Sequence, residues 1–208
     1  GWRAGVLEQT VVERLDGASY VVKSVTVKEQ VRRPAPPFIT STLQQQAFRK
    51  LGFSARRTMS VAQELYEGVN LDGQGHVGLI TYMRTDSFRV ASEAQTAARK
   101  FAMANYKFDN GRAVPEKPRA YRSRKGAQDA HEAIRPSDVW RTPESVAASL
   151  SRDQLRLYRL IWLRFLASQM SDAVFDATTV DIEAAGHPFK ATGSVMRFPG
   201  FTAVYTEE

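Results

Sequence analysis

Cysteine is absent from this 208-residue chain. Its absence excludes disulfides, thiolate zinc sites and cysteine nucleophiles together, and it fits a reducing compartment. Any covalent chemistry must run through oxygen or nitrogen. Long apolar runs are missing as well, and none approaches the roughly 20 residues needed to cross a bilayer. Glu8 arrives too early for a signal-peptide core. A soluble, cytoplasmic protein with no membrane partner is therefore expected. Histidine is scarce, at three residues, and no Asp-x-Asp-x-Glu motif is present to hold magnesium.

Positive charge is plentiful. Lys and Arg number 29 against 22 Asp and Glu, a net charge of +7. Such an excess favours a polyanion, because clustered cations release condensed counterions from nucleic acid. The excess is concentrated at Arg112, Lys117, Arg119, Arg122, Arg124 and Lys125, with only Glu116 in opposition. This stretch reads equally as a DNA contact or a solvated loop. With 43% hydrophobic residues, the chain is long enough to bury one large core or two small ones.

Periodicity divides the chain. Val11-Val-Glu13 and Tyr20-Val-Val-Lys-Ser-Val-Thr-Val-Lys28 read as strands joined by a turn at Leu15-Asp-Gly-Ala-Ser19. The prolines of Arg32-Arg-Pro-Ala-Pro-Pro-Phe38 then impose an extended crossing. From Thr40 the spacing is helical, with Leu43, Ala47, Phe48 and Leu51 on one face and Gly52 as terminator. A second helix is predicted from Thr58 or Ser60, capped by Ser60 and Gln63, with Met59, Ala62, Leu65 and Tyr66 inward. Further helices are predicted from Ser92-Glu-Ala-Gln95, from Thr142-Pro-Glu144 and from Ser151-Arg-Asp-Gln154. The last is the longest, and Trp162 within its apolar stripe is read as packing. After Met170 the period returns to two, through Thr178-Thr-Val-Asp-Ile-Glu183, His187-Pro-Phe-Lys-Ala-Thr-Gly-Ser-Val195 and Phe201-Thr-Ala-Val-Tyr205. The expected fold class is α+β: a mainly helical domain, residues 33–171, inserted into a β-rich domain of residues 1–32 and 172–208.

Several motifs fail on inspection. Gly73-Gln-Gly-His-Val-Gly78 has dinucleotide-binding glycine spacing but follows a helix and leads into an apolar extended run. His131-Glu-Ala-Ile-Arg135 puts Arg135 where a zinc protease needs its second histidine. His76 and His187 sit in turns and are expected at the surface.

Two clusters carry more chemistry. Leu79-Ile-Thr-Tyr-Met-Arg-Thr-Asp-Ser87 exchanges an apolar run for a dense polar one. A tyrosine is a poor nucleophile while its proton is held, its ordinary pKa being about 10. Phosphoryl transfer to it needs nearby positive charge. Arg84 lies two residues from Tyr82, on the same face of an extended segment, and its guanidinium fits a phosphate bidentately. The pair also reads as a half-buried tyrosine beside a surface arginine. In Gln128-Asp-Ala-His-Glu-Ala-Ile-Arg-Pro-Ser137, His131 and Arg135 are four apart and could share a phosphate. Asp129 and Glu132 could instead tie them into a structural ion-pair network.

Three segments, Pro36-Pro-Phe-Ile-Thr-Ser-Thr-Leu-Gln-Gln45, Gly78-Leu-Ile-Thr-Tyr-Met-Arg-Thr-Asp-Ser87 and Ala130-His-Glu-Ala-Ile-Arg-Pro-Ser137, closely resemble the type IA DNA topoisomerases of bacteria, in the same order. Leu157-Tyr-Arg-Leu-Ile-Trp162 and Phe175-Asp-Ala-Thr-Thr-Val180 extend the resemblance over residues 36–182. The resemblance implies that Tyr82 attacks a DNA phosphate, forming a 5′-phosphotyrosine link and releasing a 3′-hydroxyl. The enzyme then opens, passes a strand and reseals without ATP, relaxing negatively supercoiled DNA. Arg84 is implied to neutralise the scissile phosphate and His131 to contact DNA phosphate, with Arg135 joining them by proximity alone. Single-stranded and supercoiled duplex DNA are the implied substrates. The family also uses an acidic Mg2+-binding domain whose motif is not found here. The chain is thus expected to correspond to the β-rich arch and the tyrosine-bearing domain, inactive alone, with the enzyme's remaining domains as partners. Surfaces left open by those domains would offer a route to a dimer. A non-enzymatic nucleic-acid-binding module is the alternative. A tyrosine recombinase fits poorly, because its tyrosine follows the histidine and arginine in sequence.

Overall fold

The computed structural model describes residues 10–121 and 131–206. In chain order the elements are β1 (Val21–Arg32), α1 (Thr40–Leu51), α2 (Ala55–Glu67), β2 (Val69–Leu71), β3 (Gly75–Val77), α3 (Ser92–Asn105), α4 (Arg152–Gln169), β4 (Ala173–Ala184) and β5 (His187–Phe198). Short 3-10 turns lie at Ala147–Ser149 and Gly200–Ala203. The fold is α+β. Its long strands fall in one compact unit, which runs to Arg32 and takes in Val174–Phe198; all the labelled helices fall in the other, Arg33–Ala173 with the residues from Pro199 onward.

The β unit is a three-stranded sheet in the order β1-β4-β5, with β4 and β5 antiparallel. The β4–β5 hairpin turns through Ala185 and Gly186, at φ 49° and 78°, between the paired residues Ala184 and His187. Two successive positive φ values give the hairpin turn that matches strand twist. Ion pairs and polar contacts cross the sheet: Lys23 with Glu183 at 3.4 Å, Arg197 with Glu29 at 2.5 Å, and the Ser24 hydroxyl donating to Asp181 at 2.8 Å.

In the helical unit, α1 begins at Thr40 and ends at Gly52 (φ 71°), whose N–H donates to the carbonyls of Ala47 and Phe48. Its buried face is Leu43, Gln46 and Ala47; Phe48, expected inward, is 67% exposed. The second helix starts earlier than its sequence suggested, because Ser54 and not Ser60 supplies the cap, accepting from the N–H of Arg57. At the start of α3, Ala91 holds the cap position with no side-chain cap, and its N–H donates to Glu132 at 3.3 Å. The Ser151 and Gln154 capping box of α4 is present in both directions. Along α4, Leu157, Tyr158, Ile161, Phe165 and Leu166 are buried against α1, α2 and α3. Trp162 packs as read: it is buried, donates to the Val139 carbonyl at 2.9 Å and meets Phe101 edge-on at 5.3 Å.

Three local expectations differ. Residues 10–15 form a helical turn, not a strand, and the Asp16 N–H closes on the Val12 carbonyl; three β-branched residues are too short a run to show a period. No α-helix follows Thr142, whose hydroxyl and carbonyl both accept from the N–H of Ser145, a turn that competes with helix. Residues 201–205 are not a strand: a 3-10 turn runs over Gly200–Ala203, and the segment lies in the helical unit. Tyr205 is buried there, with the Arg164 guanidinium 5.5 Å from its ring, while the Phe201 N–H bonds the Ser171 carbonyl. Gly200 permits this return, since a Cβ there would meet the Asp172 carbonyl oxygen at 2.3 Å.

Candidate active site

The three segments that carry the family resemblance are distant in sequence and adjacent in space. Phe38 pairs with Ile134 and Ile80 with Pro136 in isolated antiparallel bridges. Side-chain hydroxyls fasten these joins. Thr81 donates to the Ala133 carbonyl at 2.7 Å and accepts from the Arg135 N–H at 3.0 Å, while its own N–H bonds the Arg135 carbonyl at 2.9 Å. Thr40 does the same on the other flank: its hydroxyl donates to the Met83 carbonyl at 2.8 Å and accepts from the Thr85 N–H at 2.9 Å. Ser137 closes the far end onto the carbonyls of Gly78 and Leu79. The segment from Leu79 to Ser87 is thereby held at both ends without belonging to a sheet.

Within that segment burial alternates. Leu79, Ile80, Met83, Thr85 and Ser87 are buried, whereas Tyr82, Arg84 and Asp86 are exposed. The alternation is what an extended chain lying on a core produces. Tyr82 and Arg84 are both exposed, and the chain bends at Met83 and Arg84. Tyr82 is 42% exposed, so its phenol is reachable from solvent. Its ring is flanked on two sides: Tyr66 lies edge-on at 5.4 Å and His131 edge-on at 6.2 Å between ring centroids.

Tyr66, on α2, is 41% exposed and lies beside Tyr82. Its position is fixed by a close backbone approach. The Leu79 N–H donates to the Leu65 carbonyl at 2.8 Å, and a Cβ on Gly78 would meet the Tyr66 carbonyl oxygen at 2.7 Å. Only glycine fits at Gly78. No sequence signal marks Thr40, Thr81 or Tyr66, because each matters through a partner some forty or more residues away, or through one that needs the fold to be seen.

Arg135 is placed differently from His131. Its Nε donates to Glu132 Oε2 at 2.8 Å and its NH1 to the Pro136 carbonyl at 3.0 Å, and the side chain is only 11% exposed. The same Glu132 oxygen accepts from the Ala91 N–H, and its other oxygen faces Arg89 at 4.0 Å. Arg135 is thus ion-paired with Glu132, the part of the expected network that falls on described residues. Asp129 lies outside the described residues, as do Arg122, Arg124 and Lys125 of the basic stretch. Of its described members, Arg119 is engaged internally with Asp172 and the Met170 carbonyl, and Arg112 faces Glu116 at 3.9 Å.

Among the described residues, no group of three or more His, Asp or Glu side chains comes together to hold a metal ion. Glu132, the carboxylate beside His131 in sequence, is already shared between Arg135 and the start of α3. The side chains shown beside the Tyr82 phenol are the His131 imidazole and the Tyr66 ring, neither of them an oxygen-rich donor set of the kind Mg2+ takes. No helix among the described residues is long and apolar enough to cross a membrane.

The candidate site is thus an exposed tyrosine with a histidine at its ring edge and an exposed arginine two residues on, in a segment clamped into a helical unit. A family profile described as DNA topoisomerase matches residues 6–208, and the chain belongs to that family. It is similar to full-length topoisomerase I from Thermotoga maritima, with 39% identity and a TM-score of 0.80. The match covers 94% of this chain and 31% of that one.

Proposed function

We propose that this chain supplies the nucleophile of a type IA DNA topoisomerase, and that Tyr82 is that nucleophile. In the reaction, the phenolic oxygen of Tyr82 attacks a backbone phosphorus of single-stranded DNA. The P–O3′ bond breaks, the phenol gives up its proton, and the departing oxygen gains one to become a 3′-hydroxyl. The phosphotyrosine keeps the energy of the broken ester, so the 3′-hydroxyl reseals the strand by the reverse step without ATP. Between the two steps another strand passes, which relaxes negative supercoils. In this reading Arg84 neutralises the phosphate oxygens and His131 binds phosphate at the ring edge of Tyr82. Arg135, engaged by Glu132 and the Pro136 carbonyl, acts as a positioning residue that shapes the His131 segment.

The observation that carries this reading is the pairing of exposure with restraint. Tyr82 and Arg84 are open to solvent while the residues between and beside them are buried and hydrogen-bonded. A nucleophile must reach its substrate and be held in register with it. The β unit is read as the arch that lets such a gate open. Magnesium, which the family generally uses, would be held by residues other than those described, and the chain alone is expected not to cleave DNA. The partners in this reading are DNA and the enzyme's other domains.

The test is complementation. The chain is mixed with a separately expressed Mg2+-binding remainder of a family member, labelled single-stranded DNA and Mg2+, and a denaturation-resistant protein–DNA adduct is sought. An adduct on this chain that vanishes in Tyr82→Phe is expected, since the variant lacks the attacking oxygen. DNA binding with no adduct, where the intact enzyme forms one, would overturn the reading in favour of a non-enzymatic binding module.

A further inference from the structure

We infer that one face of α2 is a track for the DNA strand that stays attached to Tyr82, with Arg56 as its second phosphate contact after Arg84; the inference builds on the reading of Tyr82 given above. An open groove is lined by Gln44 of α1, Arg56, Ser60 and Gln63 of α2, and Arg84. The α2 positions recur at i, i+4 and i+7, which is one helix face. That face leads along α2 to Tyr66, whose ring lies edge-on to Tyr82. Ten residues at 1.5 Å per residue separate Arg56 from Tyr66, about 15 Å of track.

Charge gives the groove its ligand class. Neither Arg56 nor Arg84 makes a hydrogen bond or ion pair with another described residue, although most arginines here do. The next arginine, Arg57, is taken by Asp153 through Nε at 2.8 Å. Arg56 also borders a second cleft, shared with Arg57, Asp153 and Ser151. There Asp153 and Glu64 balance Arg56 and Arg57, whereas the arm that ends at Arg84 sets two arginines against Glu64 alone and keeps a net positive charge. Glu64 borders both arms, and its carboxylate accepts from Gln154 at 2.8 Å. Two free guanidiniums with hydroxyl and amide donors between them suit successive backbone phosphates, not bases.

The direction of the strand follows from the proposed chemistry. Cleavage leaves a 5′-phosphate on Tyr82, and only the nucleotides 3′ of that phosphate remain tied to this chain. A track beginning at Arg84 and continuing to Arg56 would keep that strand in place while the gate is open.

Binding is measured by fluorescence anisotropy with Tyr82→Phe as the background, so that no outcome depends on cleavage. The probes are short single-stranded oligonucleotides carrying either a 5′- or a 3′-terminal phosphate. Arg56→Glu is expected to weaken the 5′-phosphorylated probe by about fivefold or more and to lower its salt slope by about 0.7, the share of one phosphate contact on a single strand. The 3′-phosphorylated probe is expected to change by less than about twofold. Equal weakening of both probes, no change in either, or no binding by the parent chain would overturn the track. Success here with no adduct in the complementation assay would leave Arg56 standing as a phosphate contact of single-stranded DNA and refute Tyr82's role alone. Folding is followed by the melting temperature, which should hold, because Arg56 is exposed and an acid in the first turn of a helix is favoured by its dipole.

Discussion

The two compact units keep their shape by different means. Every residue of β1 is exposed, and so is most of β5, with Val21, Val22, Val25, Val27 and Val195 all half or more open to solvent. The sheet is held by its hydrogen-bond ladder and by cross-strand pairs such as Lys23 with Glu183, contacts that contribute little each in water. The helical unit instead encloses a continuous core from Phe38 through Leu65 and Leu79 to Phe165. The candidate site is built on the second kind of unit, where a side chain placed at the surface inherits the rigidity of what is buried beneath it.

This contrast is most sharply broken or confirmed by a pair of truncations. Phe38 is fully buried, lies under the Arg164 guanidinium at 4.9 Å and bridges the Ile134 segment. Phe38→Ala is expected to cost about 3–5 kcal/mol, and Val25→Ala on the open strand under about 0.5 kcal/mol, both read from chemical denaturation. Comparable losses would show that the sheet buries surface in solution that the chain alone leaves open. Thr81→Val comes next. It keeps the shape and removes the hydroxyl that ties the Tyr82 segment to Ala133 and Arg135. An expected loss of about 1–3 kcal/mol would be accompanied by a lower adduct yield in the complementation assay, because Tyr82 sits one residue along. Unchanged adduct yield at reduced stability would mean that the clamp supports the fold but not the nucleophile's register.

The division of labour was only partly legible in the residues. The long helix is announced by Ser151 and Gln154 at one end and a broad apolar stripe within, and Gly52 ends α1 where its spacing says it should. The alternation of buried and exposed residues from Met83 to Ser87 is the period-two pattern that the residues show. What the residues could not show is long-range. Ser92-Glu-Ala-Gln95 forms no capping box: Ala91 holds the cap position of α3 with no side-chain cap, and its N–H is met by Glu132, forty-one positions away. Arg135 looked like a second phosphate ligand because spacing within one turn says nothing of a carboxylate that reaches it first. Phe201-Thr-Ala-Val-Tyr205 alternates like a strand, but the φ of 49° at Gly200 bends it back to pack Tyr205 in the helical core.

The smallest effect separates the units by pH. Tyr121 donates to the Ser168 carbonyl at 2.8 Å, and burial pushes its phenol up to about 12, with Arg119 and Arg164 opposing the rise and Asp172 adding to it. Burial also raises Tyr158, which donates to the Arg141 carbonyl at 2.6 Å. A phenol whose folded pKa exceeds its unfolded value binds its proton more tightly in the native state. Its contribution is therefore complete below about pH 10 and is lost as pH climbs from 10 towards 12. For Tyr121 the loss between pH 10 and 11 is about 1 kcal/mol. Tyr121→Phe should be less stable than the parent at pH 8, for want of the Ser168 bond, yet should show a shallower fall above pH 10. Thermal melts at stepped pH measure both, and parallel curves for variant and parent would assign the alkaline loss to other groups. Because both phenols lie in the helical unit, far-UV loss of helix should lead loss of strand as the pH is raised.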